Sequence, residues 1–369
     1  MSYTEQQVAA VAKREKNTKR TYLVVNPLQG KHVPVSPGKT LAMFEALSNL
    51  LLEAYGDERL LLIGFAETAT AAGAAAAGRL GSLYMQTTRE ELEGATYFYF
   101  SERHSHAAEQ KLVREDLEQA ASLAERIVFI EDEITTGDTI QNIVELLERA
   151  FPGRFCYSAA SLQNGMDESH RQAYEKKGIR LHWLVKTSHE GYEERASACP
   201  EDGIRHECVR KKPEVSWEEY TVHGGRDARR LVDGKDYERA CRQMGQEILE
   251  RVPWKPEERV LVLGTEEFMY PSILLASLME DKGMQVWCHA TTRSPIAVSK
   301  EKSYPLHERY ELASLYDQKR RTFLYDLGAY DRVYIVTDAQ EREKEGLYSL
   351  INALALWGND QISVIRWKA

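Results

Sequence analysis

The stretch IVFIEDEITTGDTI (residues 127–140) joins a short apolar run to three acidic residues and a loop of threonine and glycine. The run from Ile127 to Ile130 is β-branched and aromatic, which is typical of a central strand of a parallel sheet that is buried on both faces. Ligands of open α/β sheets bind beyond the carboxyl ends of such strands. The sequence therefore predicts a functional site where this strand stops.

Strand-like and helix-like segments alternate on both sides of this stretch. The strand-like segments of the first half are TYLVVN (21–26), RLLLIG (59–64), SLYMQ (82–86), ATYFYF (95–100), RIVFIE (126–131), FCYSAA (155–160) and IRLHWLV (179–185). Helical segments such as TLAMFEALSNLLLEAY and TATAAGAAAAGRL lie between them. This alternation predicts an α/β fold: an open, mostly parallel sheet with helices on both faces.

The alternation dissolves from about residue 187 to 225 and then resumes with DYERACRQMGQEILERV, RVLVLG, MQVWCHA, RVYIVT and QISVIRW. A second α/β unit is therefore expected. We predict an N-terminal arm over residues 1–20, a first domain over 21–190, a linker or crossover over 191–225 and a second domain over 226–369.

The length, composition and net charge of the chain exclude several classes of protein. The 369 residues suit two domains, and 43% hydrophobic with 28% charged residues is ordinary for a soluble globular chain. No run of about 18 apolar residues occurs and the N-terminus is polar, so we expect a cytoplasmic protein that does not bind membranes. The net charge of −9 disfavours a general nucleic-acid surface.

The loop after the acids offers a site for a phosphate monoester. A strand, a short loop and a helix N-terminus together present backbone N–H groups, with the positive end of the helix dipole behind them. Gly137 would let the backbone approach an anion, and the hydroxyls of Thr135, Thr136 and Thr139 can donate hydrogen bonds. An ordinary helix N-cap is the alternative interpretation.

The acidic pair indicates a second kind of partner. Glu131 and Asp132 would repel a phosphate unless they faced hydroxyl groups or a divalent cation. A sugar 5-phosphate with vicinal hydroxyls, together with Mg²⁺, satisfies both the acids and the loop. The pattern therefore predicts a phosphosugar site.

Four apolar residues, two acids and T-T-G-x-T in this order resemble the phosphoribosyl pyrophosphate (PRPP) motif of the type I, orotate-like phosphoribosyltransferases. The resemblance implies the type I fold and Mg²⁺-dependent transfer of a phosphoribosyl group from PRPP to a nucleobase-like acceptor, with release of pyrophosphate. It implies that Glu131 and Asp132 are catalytic, bind the ribose hydroxyls and hold Mg²⁺ with PRPP. It also implies that residues 135–139, including Asp138, bind the 5-phosphate.

If the resemblance holds, pyrophosphate needs its own site at an earlier strand end. GFAETATAAG offers a turn of small residues after Gly64, where backbone amides can approach a diphosphate and a helix begins at Thr68 and Ala69. The candidate pyrophosphate ligands are Ala66, Glu67, Thr68, Ala69 and, in QTTREE, Arg89. A plain strand-to-helix turn is the alternative.

Two loops carry candidate hood or substrate residues, because the reactive ribose must be shielded from water. NPLQGKHVPVSP contributes Lys31 and His32, and FSERHSHAAEQ contributes Arg103, His104 and His106. Imidazoles can hydrogen-bond a leaving group or a base near neutral pH. Each of these side chains alone is more often solvated surface.

TTRSPI (residues 291–296) in the second half resembles the signature of the TRSP domain. That domain follows an orotate-type phosphoribosyltransferase domain in bacterial stress-response clusters linked to tellurite resistance. Arg293 and Ser294 are candidates for an anion or substrate contact in the second domain. A structural turn at a strand end is the alternative.

The two halves also resemble each other. RLLLIGFAET is echoed by RVLVLGTEEF, TTRE by TTRS, and RIVFIEDEITTG by RVYIVTDAQEREKEG, in the same order. The second domain is therefore predicted to be a degenerate copy of the first, with chance similarity of two α/β units as the alternative. Its last loop carries glutamates that would repel a phosphate, so one active site is expected.

Several alternatives stay open. A PRPP-sensing regulator would keep the motif without catalysis, and a scaffold would bind no phosphosugar. A ribose-phosphate pyrophosphokinase also has two related domains, but its active motif lies in the later copy. The acceptor and the kind of glycosidic bond are not fixed by the sequence, and a homodimer is one expectation because type I enzymes are often dimers.

Overall fold

A computed structural model describes residues 2–15, 20–100, 110–340 and 344–369. The chain forms two compact units, each built from three separate segments of sequence. Unit 1 consists of Met1–Tyr3, Ala42–Ser188 and Arg226–Ala240, and unit 2 of Thr4–Leu41, His189–Gly225 and Cys241–Ala369.

In chain order the strands are β1 (Ala10–Lys13), β2 (Tyr22–Val25), β3 (Leu60–Gly64), β4 (Leu83–Gln86), β5 (Tyr97–Phe100), β6 (Gln110–Val113), β7 (Arg126–Ile134), β8 (Cys156–Asn164), β9 (Arg180–Lys186), β10 (Ile204–Glu207), β11 (Trp217–Val222), β12 (Val232–Asp233), β13 (Arg259–Gly264), β14 (Gln285–Ala290), β15 (Glu308–Ala313), β16 (Arg321–Tyr325), β17 (Arg332–Thr337) and β18 (Ile362–Trp367). The helices are α1 (Glu5–Val8), α2 (Pro37–Tyr55), α3 (Thr70–Leu80), α4 (Arg114–Leu123), α5 (Asp138–Ala150), α6 (Glu168–Lys176), α7 (Tyr192–Ala198), α8 (Gly234–Arg251), α9 (Tyr270–Glu280) and α10 (Lys344–Ala355). Within the described ranges, each helix is too short or too polar to cross a membrane.

Unit 1 contains a six-stranded sheet in the order β12-β4-β3-β7-β8-β9. Its strands are parallel except for the two-residue β12, which runs antiparallel to β4. The chain order reverses between β3 and β7, so the carboxyl ends of these two strands form a topological switch point, where ligands of such sheets bind. The predicted α/β class with an open, mostly parallel sheet is confirmed.

The core of unit 1 lies on both faces of this sheet. On one face, Ile63 and Phe129 pack in a cluster with Leu117 of α4 and Ile143 of α5. On the other face α3 lies so close that a Cβ at Gly73 would be 3.0 Å from the Cα of Gly64. The apolar residues of β3 and of the first half of β7 are buried, as their sequence predicts.

Three segments differ from the sequence-based expectation. The predicted arm contains α1 and β1, and β1 pairs antiparallel with β2 in unit 2, so β2 is not a strand of the parallel sheet of unit 1. The segment ATYFYF forms the predicted strand, β5, but β5 pairs antiparallel with β6 in a separate two-stranded sheet and is not a strand of the parallel sheet. The expected linker contains β10 and β11, and β11 is a strand of unit 2. Glu218 and Glu219 of β11 are exposed, so the sequence of this strand lacks the apolar pattern that predicts a strand.

Unit 2 contains a five-stranded parallel sheet in the order β11-β18-β17-β13-β14. Taken in chain order, β13, β14, β17 and β18 are arranged as β3, β4, β7 and β8 are in unit 1. In each unit an antiparallel hairpin lies between the second and third of these strands, β5-β6 in unit 1 and β15-β16 in unit 2. This shared topology supports the prediction that the second unit is a copy of the first.

His289 on β14 makes the stability of unit 2 depend on pH. The imidazole is fully buried, its Nε2 donates to the carbonyl oxygen of Tyr325 at 2.9 Å, and burial lowers its pKa to about 4. Below pH 6.5 the unfolded chain takes up a proton that the folded chain refuses, so stability is full above pH 6.5 and is lost as the pH falls toward 4. The expected loss of unfolding free energy is on the order of 3 kcal/mol.

Urea unfolding between pH 4 and pH 8 tests this dependence. His289→Gln keeps an amide donor for Tyr325 but does not titrate, so its unfolding free energy should change less over the acidic range. Equal pH slopes for the wild type and His289→Gln would contradict the assignment.

Candidate active site at the ends of β3 and β7

The carboxyl ends of β3 and β7 lie side by side. Gly64 pairs with Ile130, and the N–H of Phe65 donates to the carbonyl oxygen of Ile130 at 3.0 Å. This register sets the turn after β3 beside the acids of β7. The structure thus brings both predicted anion sites and the acidic pair to one edge of the sheet.

The acids are part of the strand and do not follow it. The sequence predicts a strand end at Glu131, but β7 continues through Asp132 and Glu133 to Ile134, because β8 pairs with it along the same length. All three acids are partly exposed. Side chains alternate along a strand, so Glu131 and Asp132 point to opposite faces and can contact a ligand from two sides.

The threonine-glycine loop is shorter than predicted. After Thr135, Thr136 and Gly137, α5 begins at Asp138, so Asp138 and Thr139 are the first two residues of the helix. The first N–H groups of a helix have no acceptor within it, and they carry the positive end of its dipole. This end of α5 is accessible, since these residues are exposed or partly exposed. The geometry suits a phosphate.

Both the backbone conformation at residue 137 and the packing around it require glycine. Its φ is +75°, and a Cβ there would lie 2.2 Å from Oη of Tyr174. Tyr174 in α6 donates this hydroxyl to the carbonyl oxygen of Gly137 at 2.7 Å. Burial, and then the charges of Glu131 and Asp138, raise the pKa of Tyr174, so the hydroxyl stays a donor. The sequence pointed to an anion as the reason for glycine, and Tyr174 is a second reason.

The turn after β3 is tied to the end of β4. The N–H of Ala66 donates to Oγ1 of Thr87 at 2.8 Å, and the N–H of Thr87 donates to the carbonyl oxygen of Gly64 at 3.0 Å. Ala66 is buried, whereas Glu67 and Thr68 are partly exposed, and the Ala66–Glu67 peptide is cis. Glu67 and Thr68 are therefore the accessible residues of this turn.

The helix after this turn begins two residues later than the sequence predicts. Ala69 is the N-cap residue and α3 starts at Thr70, whose Oγ1 donates to the carbonyl oxygen of Glu67 at 3.2 Å. Arg89 follows β4 at the same edge of the sheet and is partly exposed. The predicted pyrophosphate ligands therefore share one edge with Glu131.

Two of the proposed hood residues, Lys31 and His32, belong to unit 2. Lys31 is fully buried, and its Nζ donates to the carbonyl oxygens of Glu266 at 2.7 Å and Thr291 at 2.8 Å. His32 packs against the ring of Tyr325, with 6.4 Å between ring centroids. A buried ammonium needs such acceptors, so Lys31 is a buried, hydrogen-bonded residue of unit 2 and not the solvated surface residue that its loop suggests.

The remaining candidates lie elsewhere in the chain. Arg103, His104 and His106 lie outside the described residues. Arg293 and Ser294 follow β14 in unit 2, where the side chain of Arg293 is nearly buried.

Sequence reasoning missed the polar end of β8. The sequence predicts a strand end at residue 160, but β8 runs to Asn164, and Ser161 pairs with Glu131 across the strands. Ser161 is fully buried, and its hydroxyl has no hydrogen-bond partner among the described residues. Buried polar groups nearly always have partners, so Ser161 is a candidate ligand contact. The polar run SLQN before Gly165 was the available signal.

Magnesium fits this edge only together with a ligand. Among the residues that the structure describes, no three His, Cys, Asp or Glu side chains form a group that could hold a metal ion. Glu131 and Asp132 supply two carboxylates at most. Mg²⁺ is usually held by one or two carboxylates plus substrate phosphates and water, so the donor set fits a Mg²⁺ that arrives with a diphosphate.

Two family models match the sequence. Residues 8–189 match a model described as phosphoribosyl transferase, and residues 223–354 match one described as the TRSP domain C-terminal to it. No curated protein matches the chain.

Several solved structures are similar to about half of the chain. Adenine phosphoribosyl transferase from Trypanosoma brucei, in complex with AMP, pyrophosphate and ribose-5-phosphate, has 15% identity and a TM-score of 0.35 over 49% of this chain and 77% of its own. Adenine phosphoribosyltransferase from Rhodothermus marinus has 16% identity and a TM-score of 0.35, over 49% and 96%. Orotate phosphoribosyltransferase from Aeropyrum pernix has 18% identity and a TM-score of 0.32, over 51% and 93%.

Proposed function

Since residues 8–189 belong to the phosphoribosyl transferase family and residues 223–354 to the TRSP domain that follows it, we propose that this chain transfers the 5-phosphoribosyl group of PRPP to a nucleobase-like acceptor. One observation carries the proposal. The pairing of Gly64 with Ile130 sets a small-residue turn on one side of Glu131 and Asp132, and the N-terminus of α5 follows these acids in the chain. Two main-chain anion sites with an acidic pair at the same edge suit a phosphosugar diphosphate.

Each part of PRPP has a matching group at this edge. The N-terminus of α5 suits the 5-phosphate, with Thr135, Thr136 and Thr139 as hydroxyl donors. The turn of residues 66–69, with Arg89, suits the pyrophosphate. Binding at both ends would hold the ribose in one orientation before the reaction.

The reaction breaks the bond between C1 of the ribose and a pyrophosphate oxygen, and the bonding electrons leave with pyrophosphate. The acceptor nitrogen, or a carbon, forms the new bond to C1 and gives up a proton. Positive charge develops on the ribose in between, and the carboxylates of Glu131 and Asp132 stabilise it while they hold the ribose hydroxyls. A Mg²⁺ ion that arrives with the diphosphate would be held by Glu131 or Asp132 and would supply positive charge to the leaving group.

Calorimetric titration tests the two anion sites one at a time. The wild type should bind PRPP, with higher affinity when Mg²⁺ is present, and should bind ribose-5-phosphate and pyrophosphate separately. Arg89→Ala should weaken pyrophosphate at least about 10-fold and leave ribose-5-phosphate unchanged, since a charge-assisted contact to phosphate contributes about 1.5–3 kcal/mol. Arg79→Ala, in the last turn of α3, is the matched control.

Two outcomes would contradict the proposal. A wild type that binds neither PRPP nor its two parts has no donor site. A wild type that binds PRPP but releases no pyrophosphate with any purine, pyrimidine or related acceptor is a PRPP sensor and not a transferase.

A further inference from the structure

The turn after β13 in unit 2 repeats the hydrogen bonds of the turn after β3. The N–H of Thr291 donates to the carbonyl oxygen of Gly264 at 3.1 Å, and the N–H of Glu266 donates to Oγ1 of Thr291 at 3.0 Å. These are the two bonds that tie the turn 64–69 to Thr87 in unit 1. The two turns therefore share one main-chain design.

The strand end beside this turn is repeated as well. Thr292 exchanges two main-chain hydrogen bonds with Phe323 of β16, at 2.9 and 2.7 Å. In unit 1 the residue before Arg89 makes the same pair of bonds with β6. Arg293 thus stands in unit 2 where Arg89 stands in unit 1.

The side chains of the two turns differ at one decisive position. Glu266 replaces the alanine of unit 1, and its Oε2 lies 2.7 Å from Nε of Arg293 and 2.9 Å from Nη1 of Arg320. Ser314 donates its hydroxyl to the other oxygen of the same carboxylate. Oε1 of Glu267 lies 3.0 Å from Nη2 of Arg293. Both acids are 1% exposed, so these pairs are buried.

Three cationic side chains contact the main chain or the carboxylates of this turn, and one of them, Arg320, also lies 3.9 Å from Asp317. Nζ of Lys31 donates to the main chain of Glu266 and Thr291, and Arg293 and Arg320 contact the carboxylates. A guanidinium binds carboxylate and phosphate through the same fork of N–H donors. The carboxylate of Glu266 is therefore bound as a phosphate ligand would be.

We propose that the turn after β13 is a second anion site and that the carboxylate of Glu266, a residue of the same turn, occupies it. Unit 2 consequently binds no diphosphate, and removal of this carboxylate opens a site for pyrophosphate or an organic diphosphate. The proposal rests on the correspondence between the two turns and does not require that unit 1 be catalytic.

Glu266→Ala tests it, because this change gives unit 2 the residue that unit 1 carries at the same place. Calorimetric titration with pyrophosphate is made in the Arg89→Ala background, which weakens the site proposed for unit 1. Glu266→Ala should add one pyrophosphate per chain, with affinity at least about 10-fold above that of the background. Glu267→Gln keeps Glu266 in place and should add none.

A buried guanidinium without its partner costs stability, so folding is measured beside binding. Pyrophosphate should raise the melting temperature of Glu266→Ala more than that of its parent, and Glu266→Gln provides a variant of nearly unchanged volume. A folded Glu266→Ala without an added site would overturn the proposal, as would pyrophosphate bound in unit 2 of the wild type. If neither variant folds even with pyrophosphate, Glu266 is a structural ion-pair residue and the proposal is wrong.

Discussion

Asp132→Asn is expected to lower turnover at least about 100-fold while the protein stays folded. The side chain is partly exposed at the carboxyl end of β7, so the change removes one charge and little packing. Loss of a group that stabilises charge in a transition state costs about 10²–10³ in rate. Turnover is followed as pyrophosphate release, and folding as the melting temperature.

Glu133→Gln is the matched control for this change. Glu133 lies one residue further along the same strand and is also partly exposed, but it has no role in the proposed reaction. Its loss should change turnover less than about threefold. Equal losses in Asp132→Asn and Glu133→Gln would mean that the edge acts through its summed charge, and near-normal activity of Asp132→Asn would refute the role of Asp132.

Gly137→Ala is expected to destabilise unit 1 and to abolish binding of the 5-phosphate. A residue with a Cβ is strained at a φ of +75° by about 1–2 kcal/mol, and its Cβ would lie 2.2 Å from Oη of Tyr174. The overpacking against Tyr174 lowers the unfolding free energy by about a further 1–3 kcal/mol. The unfolding free energy should therefore fall by about 2–5 kcal/mol, measured by urea unfolding, with ribose-5-phosphate affinity measured by calorimetry.

Gly153→Ala separates the two causes. Gly153 follows the other end of α5 with a φ of +63°, and a Cβ there would meet no atom within 4 Å. Only the strain of the backbone remains, so the loss should be about 1–2 kcal/mol with ribose-5-phosphate binding unchanged. If Gly137→Ala costs no more than Gly153→Ala, the contact with Tyr174 does not constrain the loop.

The sequence predicted the parts of the site that local patterns define. The apolar runs of β3 and β7, each followed by turn residues, fixed the strands whose ends meet, and both family resemblances are confirmed. The ends of some elements differ from the predicted ends by a few residues. Strand β7 is longer than predicted because β8 pairs with it as far as Ile134, and the helix α5 starts earlier, at Asp138.

Long-range packing accounts for what the sequence did not predict. Lys31 resembled an exposed ligand, since nothing nearby shows that carbonyl oxygens 235 and 260 residues away accept from it. The two-residue strand β12 is too short for an apolar pattern, yet it pairs with β4. The role of Glu266 depends on Arg320, which lies 54 residues further along the chain.

The segmented composition of unit 2 has a consequence for how the protein is made. Residues 4–41 are synthesised well before their partners in unit 2, since Val35 pairs with Cys288 and Arg14 with Ile296. Such distant pairings are slow to form. Residues 4–41 therefore cannot complete their contacts in unit 2 until β14 and the residues that follow it have been synthesised.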